Sequence, residues 1–528
     1  MKRIAVIILH RLLALSSAEL ALLSFLSVSL LGAVTLMWTE HGHMTTDAYP
    51  IHRDVVIREV ESGVERQEVH TSVAFKEVKG LRFVDAWFTS TSALCVTGLT
   101  TIDFSQFTLA GQLIVLLLIQ SGGLGIFVLT AILVVSVFQG VEQNVSFRAI
   151  LASTVDSSHR DALTMLKYIV CYSVVLEGMG ILVMGVYLEW FAVNPPIGNL
   201  NPWWWALFHS LSAFNNAGFS LMVNNLESFA FDPVINLTIS LLIILGGLGY
   251  PVLIAFFVYA RRFLSCRKES KGESNDAQSI AGVASVVQIK VAVYGTLILL
   301  IVGTVLTYWV EFENSIKGHP HPVLEILPAW FQSVSIRTAG FNTVDIGDMH
   351  VPTLFLFIVL MFIGGNPAGT AGGVKIPTIV VLFAYIVDWF KKPGEPVRLF
   401  GQPVSRFAVS HAIRLFFFGI VFVALTTATI NYLERHFVIT GDPTFSFSKV
   451  LFEVVSAFGT VGLSMGFPQG PSSFSALLSD TSKYLIMVTM FFGRIGPLVL
   501  LAALPWKRRF ANYPPSQDYP GANKVQIG

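Results

Sequence analysis

Four stretches of this chain, laid over one another without a gap, close on the same residue. They are 88–98 (FTSTSALCVTG), 208–218 (FHSLSAFNNAG), 330–340 (WFQSVSIRTAG) and 452–462 (FEVVSAFGTVG), each with an aromatic residue ten positions before its glycine. Leu99, Phe219, Phe341 and Leu463 follow directly, and then Thr100, Ser220, Asn342 and Ser464. Glycine is the residue that enters left-handed backbone conformations at little steric cost. One such residue recurring four times in one setting constrains the chain to fold as four similar units.

What surrounds the stretches says where those units sit. The chain is 53% hydrophobic and only 13% charged, which excludes an ordinary soluble domain. Eight apolar segments fall at about 17–38, 108–138, 166–190, 234–260, 290–312, 351–387, 408–433 and 482–505. Each reaches the roughly 20 residues that a bilayer crossing needs. One glycine-ended stretch lies between the members of each consecutive pair, too short and too polar to span, and suits a half-helix that enters the membrane and returns. The expected fold is therefore an all-α membrane protein with four membrane–pore loop–membrane repeats around a central pseudo-fourfold ion pathway. The predicted division is 1–138, including an N-terminal cytoplasmic segment and an outer segment, then 139–265, 266–390 and 391–506, with a tail at 507–528. The first apolar run is too long for a signal-peptide core and reads as a retained span.

Basic residues set the orientation. Arg148, Arg160 and Lys167 follow span two; Arg261, Arg262, Arg267, Lys268 and Lys271 follow span four; Lys391, Lys392, Arg398 and Arg406 follow span six. Lys2, Arg3 and Arg11 lie at the start and Lys507, Arg508 and Arg509 near the end, whereas the opposite loops near 191–203 and 313–328 carry only Lys317. Both termini are predicted cytoplasmic in a multi-pass cell-membrane protein, with the four re-entrant loops opening outward. Residues 40–84 are of mixed charge and read as a solvated outer cap, or alternatively as an acidic vestibule that attracts cations. The net charge of +1 gives no reason to expect nucleic acid. Three cysteines (Cys95, Cys171, Cys266), each in or beside a different apolar segment, form no disulfide framework and read as small core residues.

The second spans carry glycine clusters: Gly122-Gly123-Leu124-Gly125, Gly246-Gly247-Leu248-Gly249, Gly364-Gly365-Asn366-Pro367 and Gly493-Arg494-Ile495-Gly496. In three of them close helix approach or bending is the simpler expectation. The third runs on to Gly373 (GGNPAGTAGG), with five glycines and a proline in ten residues, too many for a continuous helix. That span is predicted to break in its middle, where irregular backbone must be shielded by protein or line a wet cavity.

A dehydrated alkali cation needs several oxygen ligands together, and backbone carbonyls supply them in rings. Gly98, Gly218, Gly340 and Gly462, with Val96-Thr97, Asn216-Ala217, Thr338-Ala339 and Thr460-Val461 before them, are the candidate ligands of such a filter. The half-helices would aim their negative carboxyl ends at the ion. The candidate gate is Gly364, Gly365, Gly369, Thr370, Gly372, Gly373 and Lys375, with Arg494 in the last span. Arg494 reads either as a structural arginine bonded to backbone carbonyls or as a charge below the filter that repels cations until the broken segment moves. Lys375 reads as a snorkelling lysine or as part of that gate. Arg337 is expected to brace the third filter from behind, and Glu453 to start a pore helix, where a carboxylate suits the dipole. Glu177 is the other acidic residue that invites a test.

From these residues the chain resembles the Trk/Ktr/HKT superfamily of potassium transporters over about residues 15–506. The more specific motifs are Ser335–Thr343 (SIRTAGFNT), Gly369–Lys375 (GTAGGVK) and Gly493-Arg494-Ile495-Gly496-Pro497. Glycine in all four filters implies K+ as the transported ion rather than sodium. The resemblance is nearest to the Ktr-type membrane subunit, since the extra N-terminal span pair of the Trk branch is missing, although 40–84 is longer than such a core requires. It also implies a homodimer with one pore per subunit and a cytosolic nucleotide-binding regulatory ring acting in trans, with no organic cofactor. Asn366-Pro367-Ala368 departs from the family's serine-rich glycine run.

Other chemistries lack their context. Gly122-Gly123-Leu124-Gly125 lies inside an apolar span rather than after a strand, GTAGGVK has no phosphate-loop ending, and Gly462–Gly466 (GLSMG) matches a nucleophile elbow without its strand–turn–helix setting. An enzyme is not expected. A secondary transporter of another cation, sodium, with a midplane site is the alternative, but it predicts inverted repeats, whereas two-span units all enter in one sense.

Overall fold

The computed structural model describes residues 17–41, 45–61, 64–124, 159–193, 195–264, 286–316, 321–390, 396–440, 445–466 and 473–496. The predicted boundaries near 139, 266, 391 and 507 lie outside these residues. So do Cys266, Pro497, the later parts of spans two and eight, and most of the basic residues used for orientation.

The chain opens with α1 (Ser17–Thr39), a hairpin of β1 (Thr45–Glu61) and β2 (Val64–Lys79), α2 (Phe83–Cys95) and α3 (Leu109–Gly123). Next come α4 (His159–Val186), α5 (Pro202–Phe214), α6 (Pro233–Gly247) and α7 (Tyr250–Leu264). A third group holds α8 (Val286–Glu311), α9 (Ile326–Ser335), α10 (Val351–Phe362) and α11 (Ile376–Asp388). The last has β3 (Arg398–Leu399), β4 (Gln402–Pro403), α12 (Arg406–Leu433), α13 (Arg435–Thr440), α14 (Phe447–Gly459) and α15 (Asp480–Ile495).

Among the described residues four segments are long and apolar enough to cross a membrane: Leu22–Thr39, Lys167–Phe191, Val286–Ile316 and Arg406–Leu433. Between 28% and 33% of the most apolar window in each is buried in the protein, so most of that greasy surface is left for lipid. The short helices α2, α5, α9 and α14 have 13, 13, 10 and 13 residues. At 1.5 Å per residue the longest reach about 20 Å, short of the hydrocarbon thickness. Local chemistry starts many of the helices. Asn201 caps α5 by accepting from the Trp203 and Trp204 amides, Asp232 caps α6, and Ser446 and Ser479 cap α14 and α15.

The packing between groups runs in one direction. α3 contacts α5, α6 contacts α9, α10 contacts α14, and α15 returns to contact α2. In each group the helix after the short one thus lies against the short helix of the following group, and the last closes on the first.

Four expectations change. The chain is not all-α: β1 and β2 pair antiparallel from Thr45↔Lys79 to Glu61↔Val64, within the segment read as an outer cap. Glu40, at the edge of that segment, is fully buried rather than solvated, accepting from Thr108 Oγ1 at 2.7 Å at the start of α3. The fourth span is broken as well as the sixth, because α6 and α7 meet at 104°. Gly249 takes a φ of 87° there, and the Tyr250 amide donates to the Ala368 carbonyl (3.0 Å) instead of continuing the helix. Cys95 is buried as expected, but Cys171 is exposed on α4.

Candidate functional site: a ring of four glycines

The four short helices end in a shared backbone device. Val96, Asn216, Thr338 and Thr460 have φ of 57°, 59°, 79° and 48°, and Gly98, Gly218, Gly340 and Gly462 have φ of 98°, 71°, 76° and 94°. Left-handed geometry therefore recurs two residues apart in each stretch, and the residue between stays outside that region. Three of the four non-glycine positions are β-branched, for which such a φ costs about 1–3 kcal/mol and persists only where the surroundings over-determine it.

Those surroundings are visible. The Thr97, Ala217 and Val461 amides donate back to the Ser92, Ser212 and Ser456 carbonyls at 2.8 Å, the six-to-one bond of a helix end closed by a left-handed residue. In the third stretch the closure falls one residue later: the Gly340 amide reaches the Ser335 carbonyl at 3.4 Å. Serine hydroxyls then brace the exits. Ser92 and Ser456 accept from the Gly98 and Gly462 amides at 3.0 and 3.1 Å, and Ser212 and Ser335 donate to the Phe219 and Phe341 carbonyls at 2.9 and 2.5 Å. The sequence reading passed over these serines. Their signal was a serine six positions before the glycine in three stretches and five before it in the other.

The glycines meet one another. A Cβ added to Gly98 would lie 3.2 Å from the Gly218 Cα, one on Gly218 2.9 Å from the Gly340 Cα, one on Gly340 3.2 Å from the Gly462 Cα, and one on Gly462 3.0 Å from the Gly98 Cα. Each such Cβ would also press on the carbonyl of the residue before the next glycine: Ala217, Ala339, Val461 and Thr97 in turn. The contacts run round a closed ring made of backbone, and side chains are excluded from it. Beside the ring, the Asn216 amide group and the Thr338 hydroxyl pair at 3.1 Å.

On the side of the residues that follow the glycines lies a vestibule of about 240 Å³, with all four glycines in its lining. Asp103, Glu227 and Asp345 line it too, and no lysine or arginine does among the described residues. Burial, reinforced by Asp345 and Asp348 nearby, holds the Glu227 carboxyl above its ordinary range against the opposing Asn342 hydrogen bond. The acid of this mouth thus comes from the loops after the glycines. Glu453 is not at the start of a pore helix but seven residues into α14, because Ser446 sets the helix start. Its buried carboxylate accepts from Ser464 Oγ (2.7 Å), the Ser475 amide (2.9 Å) and Ser475 Oγ (2.5 Å), holding the chain that leaves the fourth glycine.

The opposite side of the ring is covered by residues 363–375, which leave the helix between α10 and α11 as the glycines predict. This segment closes on itself through Gly364 N to Val374 O (2.9 Å) and Ile376 N to Gly365 O (3.0 Å). It is tied to the broken end of α6 by Asn366 N to Gly247 O (3.1 Å) and Thr370 N to Gly246 O (3.2 Å), and to α15 by Gly373 N to Gly493 O (3.3 Å). Gly372 lies directly against the Thr460 side chain, two residues before the fourth glycine. Gly369 packs on the backbone of Gly246 and Gly249. Arg494 donates one guanidinium nitrogen to the Thr370 carbonyl and another to the Gly122 carbonyl at the end of α3. Lys375 turns back onto the Ala371 carbonyl at 2.6 Å. Arg337 is buried and donates to the Thr296 carbonyl of α8 (3.3 Å). Glu177 accepts from Gln120 (3.1 Å) and Asn215 (3.2 Å), linking α4 to α3 and to the end of α5.

The glycine pairs of the second spans give close approach. A Cβ on Gly122, Gly246 or Gly493 would run into the carbonyl of Leu94, Phe214 or Phe458, each at the carboxyl end of a short helix. Those helix ends are seated on glycine.

The chain is similar to known proteins over most of its length. The profile of a cation transport protein family, TrkH, matches residues 21–510. The chain is 36% identical to the Ktr system potassium uptake protein B of Vibrio alginolyticus, over 80% of this chain and 84% of that one. It is 33% identical to the protein of the same description from Bacillus subtilis, covering 80% and 86%, and 32% identical to the potassium/sodium uptake protein NtpJ of Enterococcus hirae, covering 82% and 88%. The crystal structure of the potassium transporter TrkH from Vibrio parahaemolyticus superposes with a TM-score of 0.57 at 20% identity, over 80% of this chain and 78% of that one.

Proposed function

The chain belongs to the TrkH family of cation transport proteins, and from that premise we propose that it takes up potassium across the cell membrane through the ring of four glycines. Membership makes it a membrane cation transporter and not an enzyme. The observation that carries the finer reading is the closed ring of backbone contacts from Gly98 through Gly218 and Gly340 to Gly462. Alternating left-handed and ordinary residues turn successive carbonyls to one side of each strand, and four strands give rings of oxygens that replace the water of a dehydrated cation. The filter ligands are Val96, Thr97 and Gly98 with their counterparts Asn216–Gly218, Thr338–Gly340 and Thr460–Gly462.

In this reading the vestibule faces outside and concentrates cations, and the segment 363–375 is the gate on the inner side. Its glycines, Thr370 and Lys375 belong to that gate, with Arg494 as its pin. The four repeats, at 1–138, 139–265, 266–390 and 391–506, surround one pseudo-fourfold path with both termini cytoplasmic. A homodimer and a nucleotide-binding ring in trans complete the proposal.

Flux of potassium, rubidium and sodium into liposomes carrying the purified protein tests the filter. Potassium and rubidium should pass in preference to sodium, and Gly98→Ser should erode that preference. Equal flux of all three ions would refute the reading, and so would unchanged selectivity after single substitution of each of the four glycines. Sodium belongs in the comparison because one relative is described as a potassium/sodium uptake protein.

The vestibule makes a separate prediction about pH. Because the Glu227 carboxyl sits above the ordinary carboxylate value, it takes up its proton earlier than an exposed acid as the outside is acidified. As the outside is acidified the mouth should therefore lose a negative charge while an exposed carboxylate is still ionised, and the apparent KM for potassium should rise. Glu227→Gln should show the raised KM throughout and lose most of the pH dependence. A variant with the wild-type profile would remove Glu227 from this role.

A further inference from the structure

We propose that Asn225, in the loop after the second glycine, is a positioning residue that sets ion discrimination by holding the carbonyl of the third. The inference rests on the reading of the ring as an ion filter. Asn225 Nδ2 donates to the Gly340 carbonyl at 3.4 Å, across a boundary between two groups of the fold. Among the described residues no hydrogen bond is made to the Gly98, Gly218 or Gly462 carbonyls. One of the four ring carbonyls is thus tethered, and the tether comes from a neighbour.

The loop is built to hold that position. The Leu226 amide donates to the Asn342 carbonyl at 3.0 Å, and Asn342 Nδ2 returns to Glu227 Oε1 at 2.9 Å, so residues 225–227 strap the exit of the third stretch. Asn225 itself has a φ of 51°, a left-handed conformation that asparagine tolerates better than most residues. Its amide donates to the Met222 carbonyl (3.3 Å), and the Met222 amide donates to Ser220 Oγ (3.1 Å).

Ser220 is anchored in turn by His209, which is fully buried on α5. His209 Nδ1 lies 2.8 Å from the Trp205 carbonyl, and Nε2 lies 3.0 Å from Ser220 Oγ. A carbonyl can only accept, so Nδ1 carries the proton in the neutral ring and Nε2 accepts from the serine hydroxyl. The chain of bonds from Trp205 through His209 and Ser220 fixes the turn that presents Asn225.

An amide on a carbonyl oxygen occupies one of its two lone-pair directions and leaves the other. It therefore fixes where the Gly340 oxygen points and resists its inward swing toward an ion smaller than potassium. Without the tether the ring can tighten around sodium.

The test uses the full-length protein in liposomes. Asn225→Gly keeps the left-handed backbone and removes the donor, and Asn225→Asp keeps the shape but replaces the donor with an acceptor. Both should shift the apparent KM for rubidium by about three- to tenfold and strengthen inhibition by sodium, with a smaller change in maximal rate. Gly98→Ser is run beside them. If it alters discrimination while both Asn225 variants keep the wild-type KM and sodium sensitivity, the inference is overturned and the filter stands. If none of the three alters discrimination, the filter reading fails and the inference falls with it. Should Asn225→Asp not fold, Asn225→Gly alone decides.

Discussion

Alanine at Gly462 should stop potassium uptake while leaving the protein folded. The glycine has a φ of 94°, and a Cβ there would press into the Thr97 carbonyl and stand 3.0 Å from the Gly98 Cα. Both obstacles are backbone, already fixed by the Ser92 carbonyl and hydroxyl, so neither can turn aside as a long side chain would. The ring must open or shift, and displacement of a binding site by about 1 Å is enough to cost about a hundredfold in rate. Gly401→Ala is the control. Its φ of 82° imposes similar conformational strain, but nothing lies within 4 Å of its added Cβ. Rubidium flux should fall about a hundredfold in the first variant and stay at wild-type level in the second. Normal flux through Gly462→Ala would mean that ions do not pass the ring.

The second large effect runs in the opposite direction. Arg494→Gln should speed transport, because Arg494 pins the segment 363–375 to the end of α3 through the Thr370 and Gly122 carbonyls. Hydrogen bonds from a charged donor contribute about 1.5–3 kcal/mol each, and part of that loss falls on the closed arrangement alone. A bias of about 1.4 kcal/mol is tenfold in the open population, so flux in the absence of any partner protein should rise about tenfold. Arg494→Lys separates the two ways an arginine can hold a gate. Lysine keeps the charge but not the planar fork that reaches two carbonyls at once. If the pin matters, lysine behaves like glutamine; if repulsion of the ion matters, lysine behaves like arginine. Flux that falls or stays level in Arg494→Gln would remove the pin altogether.

The two predictions rest on parts of the molecule that were unequally legible. The four ring glycines could be read directly, because a left-handed φ is a property of one residue and the apolar runs on either side are local. The break at 363–375 was legible for the same reason: five glycines and a proline prevent a helix wherever they stand. The break between α6 and α7 was not, since Gly246–Gly249 repeats the pattern of Gly122–Gly125, and the bend depends on the Ala368 carbonyl receiving the Tyr250 amide. Glu453 was misplaced by half a helix for want of the Ser446 cap. The strands at 45–61 and 64–79 lay hidden in a segment judged only by its charge.

The sequence by itself determined the local pieces: the long apolar segments, four short stretches ending on glycine, the break at 363–375 and an arginine within an apolar run. These follow from hydrophobic length and from backbone freedom, which neighbours in the chain settle among themselves. Only the tertiary structure decided their relations: which glycine abuts which, that Arg494 grips carbonyls rather than standing free, and that Asn225 reaches Gly340. Those contacts join residues 115 to 372 positions apart. Such pairings are chosen when the four units close into a ring, and no local preference encodes them.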